Sequence, residues 1–140
     1  MSINLNEINY LAVFVAALAA LFIGGLWYGP LFSQAWIQAQ GWSAEKVAHM
    51  KANLSPARFF GGMIASYLVL AFILAALASA ANVESVVQGI FVAGAVWLAT
   101  AAVTFTHFIA SDKQLPAYLI DTSCELVYFL LMGAIIGGWR

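Results

Sequence analysis

The sequence predicts an all-α integral membrane protein of four spans. Three observations carry that prediction: the composition, four long apolar runs, and the residues that interrupt them. Hydrophobic residues make up 64% of the chain and charged residues 8%, against roughly 25% charged in a soluble domain. Mean hydropathy is +0.94, so water is not the main solvent of this chain. Its 140 residues fit a single domain by the usual prior of about 100–200 residues. A formal net charge of −1, with five Lys/Arg in loops and at helix ends, excludes a polyanion-binding surface, so no nucleic-acid partner is expected. The one cysteine, Cys124, lies inside an apolar run and reads as a small packing residue. The N-terminus MSINLNE lacks a basic n-region and the first apolar run is too long for a signal h-region, so that run is expected to be retained and to span.

A helix needs about 20 apolar residues to cross the hydrocarbon, and four stretches qualify: about 8–28, 58–80, 83–110 and 117–139. The first carries Ala12, Ala16, Ala20 and Gly24 at every fourth position. Such a row of small residues lets another helix backbone approach closely, which is how helices associate in lipid. It is a packing seam, within the subunit or between subunits. Gly29-Pro30 is expected to stop this helix, and a separate tilted helix over 31–40 should end at Gly41. Trp27, Tyr28, Trp36 and Trp42 cluster around the break and read as an aromatic belt at one membrane interface, with a ligand pocket as the other reading.

From Ser43 the chain turns polar. Ser43 is a candidate N-cap, and Val47, Met50 and Leu54 share one face while Lys46, His49 and Lys51 occupy the others. This predicts a short amphipathic helix on the bilayer surface, the polar part of an interfacial segment covering 31–57. Ser55-Pro56 supplies cap and first residue of the second span. The second and third spans, joined around Asn82, should form a tight antiparallel hairpin, and residues 111–116 join the third and fourth, with Pro116 opening the last helix. Gly133 and Gly137 make a GxxxG in that helix, an unspecific signal where small residues are common.

Basic residues orient the spans. Lys46, Lys51, Arg58 and Lys113 fall on one side and only Arg140 on the other, so the 31–57 segment is expected in the cytoplasm and both termini outside it.

Two polar stripes interrupt the third and fourth spans. Trp97, Thr100, Thr104, His107 and Ser111 share one helical face, as do Asp121, Cys124, Glu125 and Tyr128. Pairing the helices across a short turn sets His107 level with Asp121, Thr104 with Cys124 and Glu125, and Thr100 with Tyr128. Glu125 then lies about 13 Å into its helix, near the bilayer centre, where a charge costs about 2.5–3.5 kcal/mol. Such a group faces protein or water and is paired or protonated. One reading is a proton relay or cation pathway through His107, Asp121 and Glu125. The other is a hydrogen-bonded clamp in which His107 donates to Asp121 and the threonines complete the set. The oxygen-rich spacing is too unspecific to assign a metal, and no cofactor is expected. With no HExxH, no nucleophile–base motif and no phosphate loop, an enzyme is not expected.

The stretches GGLWYGPLFSQAW (24–36) and IDTSCELVYFLLMGAIIGGW (120–139) together resemble a bacterial family catalogued as domain of unknown function 1761, over essentially the whole chain. The resemblance implies a small four-helix inner-membrane protein, places Asp121 at a polar position of the last helix, and implies no activity. Four helices of this length enclose little interior and the small-residue row invites a partner, so a homo-oligomer, dimer or trimer, is expected in the bilayer. The function classes left are a small transport or ion-conducting module, and a structural or accessory protein that docks a cytoplasmic partner through its amphipathic segment.

Overall fold

The computed structural model describes residues 3–139. All regular structure among them is helical, without strands. Four helices are long and apolar enough to cross a membrane: α1 (Tyr10–Leu26), α4 (Pro56–Ala80), α5 (Val86–Ile109) and α6 (Leu115–Gly138). Between α1 and α4 lie two short helices, α2 (Ser33–Ala39) and α3 (Ala44–Asn53).

Local chemistry explains most of the boundaries. Asn9 caps α1 by accepting from the Ala12 amide, Ser43 caps α3 through the Lys46 amide, and Ser55 caps α4 through the Arg58 amide with Pro56 in its first turn. Each supplies an acceptor to an otherwise orphaned N–H. Gly41 sits at φ +69°, ending the α2 segment as expected, because glycine takes the left-handed region without a Cβ clash. Asn82 at φ +50° turns the chain between α4 and α5.

Gly29-Pro30 acts differently from expectation. It does not stop the first helix. Residues Trp27–Leu31 widen into a π-helical turn with Pro30 inside, closed by the Phe32 amide on the Trp27 carbonyl at 2.9 Å. Proline offers no N–H to an α-helical ladder, and a wider turn carries the chain past it. The helix that follows therefore begins at Ser33.

The small-residue row is buried inside the chain: Ala12, Ala16, Ala20 and Gly24 all lie in the interior, as do Val13 and Ala17. α1 is the central strut, packed against α4 on one flank and α6 on the other, and α5 packs on α6. The expected tight α4–α5 hairpin is corrected: the two helices barely touch. Asn82 reverses the chain, but each helix takes its packing from the opposite side. The start of α1 meets the end of α6, with the Asn9 side-chain amide donating to the Trp139 carbonyl at 3.2 Å.

The closest seam is α5 on α6, and glycine makes it. A Cβ on Gly89 would strike the Gly133 carbonyl and come within 2.9 Å of Gly137 Cα, and a Cβ on Gly133 would meet the Gly89 carbonyl and lie 2.6 Å from Ala93 Cβ. The GxxxG of the last span is thus spent on α5 of the same chain. Close backbone approach of this kind is the main source of helix association in lipid.

Candidate functional site

That glycine contact sets the register of the two polar stripes. Stepping twelve residues along each antiparallel helix from Gly89 opposite Gly133 brings Ala101 level with Asp121. Long side chains bridge the same stretch: Tyr118 Oη donates to the Ala101 carbonyl at 3.1 Å and Trp97 Nε1 to the Thr122 carbonyl at 3.1 Å. His107 consequently lies beside the connection, exposed, and the expected His107–Asp121 pair does not form. Thr100 and Thr104 do not complete a network either. Their hydroxyls donate back to Trp97 and Thr100 carbonyls of their own helix, at 2.8 and 2.9 Å, the usual resort of a hydroxyl in a helix. The predicted stripe of six therefore splits: His107, Thr100 and Thr104 stand apart from Asp121, Glu125 and Tyr128. A His107→Ala protein should keep its melting temperature, because exposed positions without specific contacts change stability by no more than about 0.5 kcal/mol. Thermal unfolding in detergent checks this, and a drop of several degrees would reinstate the histidine as a structural partner.

Asp121 has found other donors. Tyr28 Oη donates to its Oδ1 at 2.6 Å and Trp36 Nε1 to the same oxygen at 2.7 Å. From the neighbouring position on each segment, Trp27 Nε1 donates to the Ile120 carbonyl at 3.0 Å. Three of the four residues expected to form an interfacial belt thus fasten the break after α1 and helix α2 onto α6. Rings reinforce the arrangement: Tyr28 meets Trp36 edge-on at 5.3 Å, and Trp36 meets Trp42 edge-on at 5.0 Å. Lys46 Nζ lies 5.1 Å from the Trp42 ring centroid, a cation–π contact that starts α3. Tyr and Trp carry large apolar bodies with one donor each, so they can reach a carboxylate at the bilayer edge without burying a second charge. Asp121 is a clamp.

Glu125, one turn deeper, is the opposite case. Its Oε2 is buried and accepts no hydrogen bond. Around it, close enough to act electrostatically, are the hydroxyls of Tyr28, Tyr67 and Tyr128, the Cys124 thiol and the Asp121 carboxylate. Tyr67 of α4 and Tyr128 of α6 meet edge-on at 5.3 Å. Tyr67, which periodicity did not single out, is the residue that joins α4 to the site. The signal for it was its place as the one polar ring in an apolar span. Cys124 is buried as a packing residue.

At 1.5 Å per residue Glu125 lies about 15 Å along a helix of about 36 Å, close to mid-membrane. Among the described residues no group of three His, Cys, Asp or Glu gathers as a metal-binding set. Two cavities stand out, one of about 10 Å³ at the terminal end between Asn9, Ala75 and Trp139, the other an open one of about 310 Å³ around Asn53, Arg58 and Phe59. Neither is lined by Asp121 or Glu125.

A family model described as protein of unknown function (DUF1761) matches residues 11–137. The chain belongs to that family, as the two motifs suggested. Neither the curated proteins nor the solved structures compared with it gave a match.

Proposed function

We propose that this DUF1761 protein is a small transport or ion-conducting module that takes up a proton or a cation at Glu125. The observation that carries the reading is the buried, unpartnered Oε2 of Glu125 at mid-membrane depth. An ionisable group inside the membrane is costly, and intramembrane acids of this kind mark ion and proton pathways. Asp121, already bonded twice, holds the fold, and His107 is no part of the pathway. We assign no catalytic role, since no nucleophile stands beside a base.

The test is flux. Purified protein in liposomes loaded with a pH-sensitive dye, driven by a potassium diffusion potential, should pass protons. Glu125→Gln should cut that flux at least tenfold, while His107→Ala keeps it. Equal flux in wild type and Glu125→Gln would end the proposal.

The same proposal places the protein in a bacterial inner membrane with the 31–57 segment in the cytoplasm, supported by Lys46, Lys51, Arg58 and Lys113 on one end. It includes a dimer or trimer. The row Ala12–Gly24 is consumed within the chain, so a second copy would have to use another face, and the loosely covered α5 is the available one. The rival reading is a structural protein whose polar groups are glue. Asp121 favours it, and so does α3, which has no buried residue and, with Leu54 just past its end, offers Val47 and Met50 to a cytoplasmic partner.

A further inference from the structure

We infer that the recess where α3 meets α4 holds the headgroup of one anionic glycerophospholipid, with Arg58 on its phosphate and Phe59 against its acyl chains. The site stands apart from Glu125, and its test does not depend on that residue's role.

The recess is the open cavity of about 310 Å³ lined by Asn53, Leu54, Ser55, Arg58 and Phe59. That is the low end of the usual range for ligand pockets, about 300–1,000 Å³. Its polar wall has donors and lacks acceptors for them. Among the described residues the Arg58 guanidinium makes no hydrogen bond or ion pair, and no carboxylate lines the cavity. Ser55 Oγ accepts from the Arg58 amide at 3.4 Å, which leaves its O–H to donate. Asn53 Nδ2 gives one hydrogen to the His49 carbonyl at 2.8 Å and keeps a second. Because Ser55 already takes the Arg58 amide, the charge of the recess is the Arg58 side chain and not the helix end. Lys51, exposed in the last turn of α3, adds a second positive charge nearby.

Helix length sets the depth. The 25 residues of α4 measure about 37 Å, against about 30 Å of hydrocarbon. A centred helix therefore leaves about two or three residues at headgroup level at each end. Arg58 stands at that boundary, and Phe59 and Phe60, both exposed, enter the hydrocarbon beneath it. A phospholipid carries its groups in the same order, a charged phosphate above apolar chains.

Charge selects the headgroup. A phosphodiester only accepts, and a guanidinium can bind it through two parallel N–H bonds. With Arg58 and Lys51 both positive, a headgroup whose only charge is its phosphate is favoured over one that brings its own ammonium. A soluble phosphate compound or an acidic peptide would leave Leu54 and Phe59 without a partner.

The probes are phosphatidylglycerol and phosphatidylcholine with identical chains, titrated into the purified protein in detergent and read by native mass spectrometry. One phosphatidylglycerol per chain is expected, bound at least tenfold more tightly than phosphatidylcholine. Wild type alone gives that comparison, so a variant that fails to fold cannot obscure it. Arg58→Gln should lose at least tenfold in affinity for phosphatidylglycerol. Lys113→Gln, which removes a cation from the same membrane end but outside the recess, should keep it. Excess glycerol 3-phosphate should not displace the lipid. Equal retention of the two lipids, or equal loss in the two variants, means diffuse charge attraction and overturns the inference. Displacement by glycerol 3-phosphate would assign the recess to a soluble phosphate compound and overturn it as well. If neither lipid is retained, the recess is left to a protein partner and the inference falls.

Discussion

Gly133→Ala unfolds at least about 10 °C below wild type in detergent, and Gly89→Ala behaves alike. The added carbon has nowhere to go. On Gly133 it would meet the Gly89 carbonyl and Ala93 Cβ, and on Gly89 the Gly133 carbonyl and Gly137 Cα. A flexible side chain can move aside, but two helix backbones can separate only as units, which loosens the whole α5–α6 seam. Overpacking commonly costs about 1–3 kcal/mol and sometimes more, and about 3 kcal/mol corresponds to roughly 10 °C for a chain of this size. Gly61 and Gly62 on α4 are the control. A Cβ there meets nothing within 4 Å, so alanine should be neutral, or stabilise by up to the roughly 1 kcal/mol of helix propensity glycine forgoes. Melting curves for the four variants decide the matter. If Gly133→Ala and Gly61→Ala melt together, the close α5–α6 contact is not the seam described.

That seam also explains where sequence reasoning succeeded and where it stopped. Ser43, Ser55 and Gly41 announced their boundaries because capping and left-handed turns are local chemistry, complete within four residues. The row Ala12–Gly24 was legible as a seam for the same reason, although periodicity alone did not say that α4 and α6 would fill it. The polar stripes were right as faces and wrong as partners. Their alignment assumed that the α5–α6 turn sets the register, whereas Gly89, Gly133 and Gly137 set it, and His107 slid out of reach. Composition marks Trp36 and Tyr28 as interface aromatics and says nothing of their partners. Their donors in fact serve a carboxylate 85 and 93 residues away, and no periodicity in a single sequence encodes a contact at that separation. Glu125 stood out correctly as an acid with no cation at its depth, since the four basic residues before Arg140 are all positioned near helix ends or in connections.

The two acids of α6 should therefore respond in opposite ways to the same treatment. Asp121→Ala orphans the Tyr28 hydroxyl and the Trp36 indole N–H together, both partly buried. Hydrogen bonds in membranes average only about 0.6 kcal/mol, but bonds to a charged acceptor are stronger, about 1.5–3 kcal/mol. Each orphaned neutral donor costs about 1–3 kcal/mol, so a joint loss of about 2–5 kcal/mol is expected. Asp121→Asn keeps an oxygen that both donors can reach, so it should lose less than half of that. Release of α2 is a separate readout: Trp36 fluorescence shifts to the red and protease cuts the 31–42 segment faster. Glu125→Leu removes no hydrogen bond from its buried oxygen and takes an unpaired acid out of mid-membrane, so its melting temperature should hold or rise, as is common where a functional group stores instability. If Asp121→Ala melts like wild type with α2 still protected, the clamp is wrong. If Glu125→Leu loses as much stability as Asp121→Ala, Glu125 is glue after all, and the structural reading displaces transport.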